Sequence, residues 1–172
     1  MKKDFILNEI WMLTVNAAFQ RANVYNENAT ETEKKSFKFM LKGYIDNCLV
    51  ENNSMTIDDN EHIEKIKELS RYSANFSNIL NGGKLNFGVS QKLLNLYLKY
   101  LWCLDLLKTP PPHFPVDRII QRELELSPVA WTQMKDEKEY LRIITIAKER
   151  LLSTEHNCIA ELELALFRRS NN

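Results

Sequence analysis

Residues 87–107 constrain the fold more than any other part of this chain, because they are apolar almost throughout. Their hydrophobic side chains fill nearly every position of a helix instead of alternating with polar ones. A helix that is hydrophobic on all sides is normally buried in the centre of a protein. A proline cluster follows at residues 110–115, and proline cannot continue a helix. We therefore predict a central, buried helix at residues 87–107.

This helix is interrupted by the polar residues Gln91, Lys92, Asn95 and Lys99. At about 100° of rotation per residue they fall within one narrow stripe, and Asp105 lies near its edge. Polar groups on a buried helix must be paired, hydrated or used, because a bare one costs roughly 1–3 kcal/mol. The stripe is therefore the best candidate for a functional site.

The rest of the chain also has the apolar periodicity of helices. Thr30 begins one of them, with Glu33 as its capping-box partner. Alternating strand patterns are absent, and the chain has only four glycines and five prolines. We predict an all-α fold of about seven helices in a single domain spanning residues 1–172. The expected helices, besides the central one, lie at 4–25, from Thr30 to about 49, from Thr56 or Asp58 to about 80, and at 117–124, 136–153 and 157–168.

The charge balance limits the possible partners. The chain has 23 basic and 23 acidic residues, which argues against a nucleic-acid binder with a long footprint but allows a local basic groove. One face of the helix that begins at Thr30 is a candidate for such a groove, or is simply a solvated face. It carries Lys34, Lys35, Lys38 and Lys42. Two arginines near the end of the chain, Arg168 and Arg169, could add to it.

Several classes of protein are excluded by what the sequence lacks. Its three cysteines are far apart and odd in number, which predicts reduced thiols in a cytoplasmic protein and no disulfide framework or zinc site. No apolar run reaches the ~18 residues of a membrane span. His62 and His156 have no metal ligands at useful spacing, and no glycine-rich phosphate loop is present. We therefore expect no metal, no cofactor and no membrane contact, while the oligomeric state is not indicated.

Lys92 and Asp117 are the sharpest pair of candidate catalytic residues. An amine on an apolar face loses water, which favours its neutral, nucleophilic form, and Schiff-base chemistry needs such an amine. A nearby carboxylate could activate it. The alternative is structural: Lys92 pairs with a carboxylate, or its stem extends to water. The prolines before Asp117 stiffen the connection, as a preorganised site requires.

The remaining polar residues have two interpretations each. Gln91 and Asn95 could read a base or sugar through their amides, or they could cap buried carbonyl groups of the adjoining loops. Lys99 could meet a phosphate or form an ordinary salt bridge. His113, within the proline cluster, could act near the site or be structural.

A functional site of this kind has a specific geometry. We predict that the proline segment folds back and brings Asp117 to the polar stripe. Lys92 and Asp117 should then line one solvent-reachable cavity, together with Gln91, Asn95 and His113.

Some of these residues also resemble a known family. The pairs Gln91-Lys92 and Lys99-Tyr100, followed by Pro-Val-Asp-Arg-Ile at 115–119, resemble the catalytic segment of archaeal 8-oxoguanine DNA glycosylases. Those enzymes belong to the helix-hairpin-helix glycosylase superfamily, which is all-α. The resemblance implies that Lys92 is a Schiff-base nucleophile and that Asp117 assists it. Arg118, within the same segment, is a further candidate for substrate contact. Residues 85–120 and 131–163 also look like a family of uncharacterised bacterial proteins, which implies no function.

Three hypotheses remain open. The first is a DNA-base glycosylase or lyase with Lys92 as nucleophile, acting on an extruded base. The second is a non-catalytic module that binds a nucleotide or nucleic acid through the same stripe. The third is a helical interaction protein of a mobile element or defence system, in which the stripe only holds the protein together.

Overall fold

In the computed structural model, which describes residues 1–51 and 58–167, the chain forms seven α-helices. The described residues contain no β-sheet, only an isolated antiparallel bridge between Tyr25 and Leu80. The prediction of an all-α fold is therefore confirmed. The helices are α1 (Lys2–Phe19), α2 (Glu31–Glu51), α3 (Asp59–Ser73), α4 (Phe87–Cys103), α5 (Arg118–Glu123), α6 (Lys138–Leu151) and α7 (Ile159–Leu166).

Helices begin where side chains can cap them. The Thr30 hydroxyl accepts a hydrogen bond from the Glu33 N–H at 3.3 Å, and the Glu33 carboxylate accepts one from the Thr30 N–H at 2.9 Å. This reciprocal arrangement is the predicted capping box. Asp58 caps α3 in the same way. The alternative start at Thr56, and the basic pair at 168–169, lie outside the described residues.

Helix α4 ends four residues earlier than predicted. Its end is set by Asp105, which has a φ of 56°. The Asp105 N–H donates to the Trp102 carbonyl, and the Leu106 N–H donates to the Leu101 carbonyl, both at 2.9 Å. This is a Schellman motif with aspartate in the place usually taken by glycine. Asp105 is therefore not part of the helical stripe. The expected helices 4–25 and 56–80 were also too long, since α1 ends at Phe19 and α3 at Ser73.

Helix α4 is the centre of the core. Residues 87–98 are all buried, and α1 and α3 pack against them. The Trp11 ring of α1 meets the Tyr97 ring edge-on at 5.3 Å. The Tyr140 ring of α6 meets that of Phe87 at 5.4 Å. The predicted position of this helix is therefore correct.

Gly88 allows α4 to approach the turn Trp131–Gln133 closely. Its N–H donates to the Met134 carbonyl at 3.0 Å. A Cβ atom at this position would lie 1.7 Å from the Trp131 carbonyl oxygen. Only glycine fits, and the contact fixes the position of Trp131.

Salt bridges within α2 occupy part of the predicted basic face. In α2, Lys34 pairs with Glu31 at 2.8 Å and Lys42 pairs with Asp46 at 2.6 Å. Half of the expected basic face is therefore neutralised within its own helix. Within residues 1–51 and 58–167, no helix is both long and apolar enough to cross a bilayer.

Candidate functional site

Lys92 and Asp117 lie together, as the sequence predicts. The distance from Lys92 Nζ to Asp117 Oδ2 is 2.6 Å. Asp117 is the N-cap of α5, and its Oδ1 accepts hydrogen bonds from the Ile119 and Ile120 N–H groups at 2.8 and 3.0 Å. One carboxylate oxygen thus starts a helix while the other holds the lysine. This double use fixes the carboxylate in orientation.

Two buried glutamines hold the segment that brings Asp117 to α4. The Gln91 amide donates to the Val116 carbonyl at 2.8 Å and accepts from the Val116 N–H at 3.1 Å. Gln121 donates to the Asp117 carbonyl at 3.1 Å and also holds Val129 through both of its backbone groups. The loop is therefore fixed on both sides of Asp117, and its return toward α4 is specified by side chains as well as by prolines.

The lysine–aspartate pair opens onto a cavity of about 570 Å³. This is within the size range of sites that bind small molecules. The side chains of Lys92 and Asp117 remain 7% and 15% exposed, so the pair is reachable from the cavity. The wall is formed by Ala17, Gln20, Arg21, Lys92, Leu96, Lys99, Tyr100, Cys103, Pro115, Asp117, Arg118, Ile119, Trp131, Glu163, Leu164 and Phe167.

A second ion pair lies in the same wall, two helical turns along α4 from Lys92. Lys99 Nζ is 2.8 Å from Oε1 and 2.6 Å from Oε2 of Glu163. The ammonium also lies 4.5 Å from the centre of the Phe167 ring. Burial raises the pKa of Glu163, and Lys99 opposes that increase. The structural alternative for Lys99, a salt bridge, is therefore present beside the cavity.

The cavity wall has an excess of positive charge. Four cationic and two acidic side chains line it, and both acids are used in the two ion pairs. The other two cations, Arg21 and Arg118, are exposed and have no ion-pair partner among residues 1–51 and 58–167. Tyr100 and Trp131 add aromatic surface.

Three residues that were expected in the cavity do not line it. Gln91, Asn95 and His113 have no exposed surface, and all of their side-chain polar atoms are bonded inside the protein. His113 lies in the proline segment, and its two ring nitrogens are bonded to Tyr140 and Asp59. For the other two residues the reason is their position on α4. Gln91 and Asn95 occupy one edge of the polar stripe, which faces the proline segment, whereas Lys92 and Lys99 occupy the other.

The buried edge of the stripe belongs to a separate hydrogen-bond network. Asn95 Nδ2 donates to Tyr140 Oη at 2.8 Å and to the Phe114 carbonyl at 3.0 Å, and Asn95 Oδ1 is 2.6 Å from His62 Nε2. His113 Nδ1 is 3.0 Å from Tyr140 Oη. Three helices and the proline segment are thereby joined around one amide.

The partners fix the proton positions in this network. The Asp59 carboxylate can only accept, so His113 Nε2, 3.1 Å away, carries the proton, and His113 Nδ1 accepts from Tyr140. By the same argument His62 Nε2 donates to Asn95, which leaves His62 Nδ1 buried without a partner. Burial lowers the pKa of His62 to about 3 and also lowers that of His113. Both imidazoles are therefore neutral at physiological pH.

Sequence reasoning did not single out Glu163, Arg21, His62 or Tyr140 as parts of these constellations. A signal existed for Glu163, since it shares the apolar face of α7 with Ile159 and falls four residues after it. No comparable signal existed for Arg21, because it follows α1 and reaches the cavity only through tertiary packing.

No protein-family model, curated protein or solved structure matches the chain. The described residues contain no group of three or more histidine, cysteine or acidic side chains that could hold a metal ion. The function is therefore inferred from the geometry of the cavity.

Proposed function

We propose that the protein is a DNA-base glycosylase or lyase in which Lys92 is the nucleophile. The observation that carries the proposal is the 2.6 Å pair of Lys92 Nζ and Asp117 Oδ2 in the wall of a ligand-sized cavity. The resemblance of residues 90–120 to archaeal 8-oxoguanine DNA glycosylases agrees with these roles. A cytoplasmic location, and nucleic acid as the partner, are parts of the same proposal.

The residues would act in a defined sequence. Asp117 accepts a proton from the Lys92 ammonium, and the neutral amine attacks C1′ of the nucleotide. The glycosidic C–N bond breaks, and the base leaves with the bonding electrons and takes up a proton. The amine nitrogen then loses its second proton, and its lone pair forms the C=N bond as the C1′–O4′ bond breaks. The ring oxygen O4′ takes up that proton, which leaves a protonated Schiff base between Lys92 and C1′.

The cavity has features that suit an extruded base. An enzyme that excises a base must receive it outside the helical stack, and flat bases stack on aromatic side chains. Trp131 and Tyr100 contribute aromatic side chains to the same cavity wall as Lys92. Gln91, Asn95 and His113 have no assigned substrate contact in this proposal, because they are enclosed; they support the loop that carries Asp117.

Borohydride trapping tests the proposal, because it reduces a Schiff base to a stable secondary amine. Duplex oligonucleotides that each carry one lesion, including 8-oxoguanine and an abasic site, are incubated with the protein and sodium borohydride. We expect a covalent adduct with the wild-type protein and none with Lys92→Gln. Asp117→Asn keeps a good helix cap but loses the proton acceptor, so the adduct should form about 10²–10⁴-fold more slowly.

Lys138→Gln is the matched control, because Lys138 is exposed at the start of α6, away from the cavity wall. It should form the adduct at the wild-type rate. If no lesion yields an adduct, or if the adduct persists in Lys92→Gln, the proposed chemistry is wrong. Circular dichroism of each variant verifies that the helices remain.

A non-catalytic binding module is the second candidate. This candidate is favoured because both lysines of the cavity are paired with carboxylates. Lys92→Ala or Lys99→Ala should then weaken oligonucleotide binding, and no lesion would give an adduct. For the third hypothesis, an interaction protein, Lys92→Met should retain function, because the stripe then only holds the protein together.

A further inference from the structure

We infer that Arg21 and Arg118 form a phosphate-binding subsite at the cavity of Lys92 and Asp117. The inference deepens the proposed function, because it names the chemical group that the ligand presents next to the reacting atoms. It depends on the charge distribution of the cavity, so it can be tested even if Lys92 forms no covalent bond.

Both arginines are available to a ligand. Arg118 follows Asp117 directly, but within residues 1–51 and 58–167 it forms no ion pair with that carboxylate. Asp117 Oδ2 already holds Lys92, and Asp117 Oδ1 already holds two backbone N–H groups of α5. The other carboxylate of the wall, Glu163, is held by Lys99. Each acid of the cavity wall is thus paired with a lysine, and neither pairs with Arg21 or Arg118.

The positive charge of the cavity wall is local. The whole chain has no net charge, so a basic excess at one place is not a consequence of composition. The two ion pairs cancel within the cavity wall, and an excess of two positive charges remains on Arg21 and Arg118. An anion that enters the cavity is therefore attracted toward these two side chains.

The chemistry of the two arginine side chains indicates which kind of anion they bind. A guanidinium offers several donors in a planar fork that fits phosphate oxygens, and arginine is favoured wherever phosphate is recognised. The two arginines come from the segment after α1 and from the start of α5, so only the folded chain brings them to one cavity. Aromatic surface from Tyr100 and Trp131 lies in the same wall. A phosphate attached to a flat, stackable group, which is a nucleotide, matches this combination.

The phosphate could belong to a free nucleotide or to a nucleic-acid strand, and two binding measurements distinguish these sources. The first is the fluorescence anisotropy of a labelled duplex with one tetrahydrofuran abasic analogue, at several NaCl concentrations. The second is competition by deoxyguanosine 5′-monophosphate, with deoxyguanosine as the phosphate-free control. Each is made with wild type, Arg21→Gln, Arg118→Gln and the control Lys138→Gln.

For a strand, each arginine variant should bind the duplex about tenfold more weakly, and the slope of log K against log salt should decrease by about 0.9 for each lost phosphate contact. Lys138→Gln should match wild type. For a free nucleotide, the monophosphate should compete far better than deoxyguanosine, and the arginine variants should abolish that difference.

The inference is overturned if both arginine variants bind both probes as wild type does, or if Lys138→Gln weakens binding equally. Its failure is distinct from failure of the proposed chemistry. Arginine-dependent binding without a borohydride adduct would retain the subsite and reject Lys92 as nucleophile. A borohydride adduct, together with wild-type binding in both arginine variants, would retain Lys92 as nucleophile and reject the subsite.

Discussion

At the scale of single residues, Gly88 determines how closely α4 can approach the turn that carries Trp131. The missing side chain leaves room for the Trp131 carbonyl, and the obstacle to any larger residue is backbone and not a flexible side chain. Trp131 lies in the cavity wall. The packing of one glycine therefore affects both the core and the candidate site.

Gly88→Ala should lower the free energy of unfolding by about 3 kcal/mol or more, because the added methyl group forces α4 and the turn apart. Urea unfolding measures the effect. Gly43→Ala is the matched control: Gly43 lies inside α2 with no atom within 4 Å of the added Cβ. That change should stabilise the protein by about 0.5–1 kcal/mol, since alanine is the better helix former. Equal effects at the two glycines would contradict this interpretation.

Single residues also show what the sequence could and could not predict about the site. Lys92 and Asp117 were found because a lysine on an apolar helix is unusual and because the aspartate follows a stiff proline segment. The separation of Gln91 and Asn95 from the cavity was not predictable, because the stripe is narrow in sequence and its two edges differ only in what packs on them. Partners such as Arg21 depend on tertiary contacts that no local pattern encodes.

At the scale of elements, the clamp between α4 and the segment before α5 controls where Asp117 lies. Gln91 satisfies both backbone groups of Val116, in a region with no exposed surface. The prolines limit the conformations of this segment, and the glutamine selects one of them. The approach of Asp117 to Lys92 is thus a property of two elements and not of either residue.

Gln91→Met should therefore weaken both stability and chemistry. Loss of the amide leaves the Val116 N–H and carbonyl unpaired, at a cost of about 1–3 kcal/mol for each group. Urea unfolding should show the loss, and borohydride trapping should slow because Asp117 is no longer fixed. Gln133→Met, at an exposed glutamine, should change neither. Wild-type unfolding and trapping in Gln91→Met would show that the clamp has no such role.

Elements were predicted better at their starts than at their ends. The capping box of Thr30 and the N-cap of Asp117 depend on residues that lie within three positions of each other in the chain. The end of α4 depends on Asp105 adopting a left-handed conformation, which sequence patterns assign to glycine or asparagine. An apolar run that continues past that residue therefore concealed the end of the helix.

At the scale of the whole molecule, the network around Asn95 joins α3, α4, α6 and the proline segment. It reaches the surface at Asp59, which pairs with His113 and with Lys148. Burial raises the pKa of Asp59, but hydrogen bonds from Lys148 and His113 outweigh it and lower the pKa overall. The pKa values of His62 and His113 are lowered by burial. All three pKa shifts make the protein less stable as the pH falls, because each makes the unfolded chain bind protons more readily than the folded protein.

The fold should therefore lose stability in mild acid, chiefly through His62. The His62 imidazole has a pKa of about 3 in the folded protein and 6.5 in the unfolded chain. Its contribution to the free energy of unfolding is therefore complete above pH 6.5 and is lost as the pH falls toward 3. The loss is about 1.4 kcal/mol per pH unit within that window.

Urea unfolding at about pH 7.5 and about pH 5 measures this loss of stability. His62→Gln keeps an N–H donor for Asn95 but cannot take up a proton, so it should show a smaller decrease, while His156→Gln, outside the network, should behave as wild type. An equal decrease in His62→Gln and wild type would mean that acid acts elsewhere in the molecule.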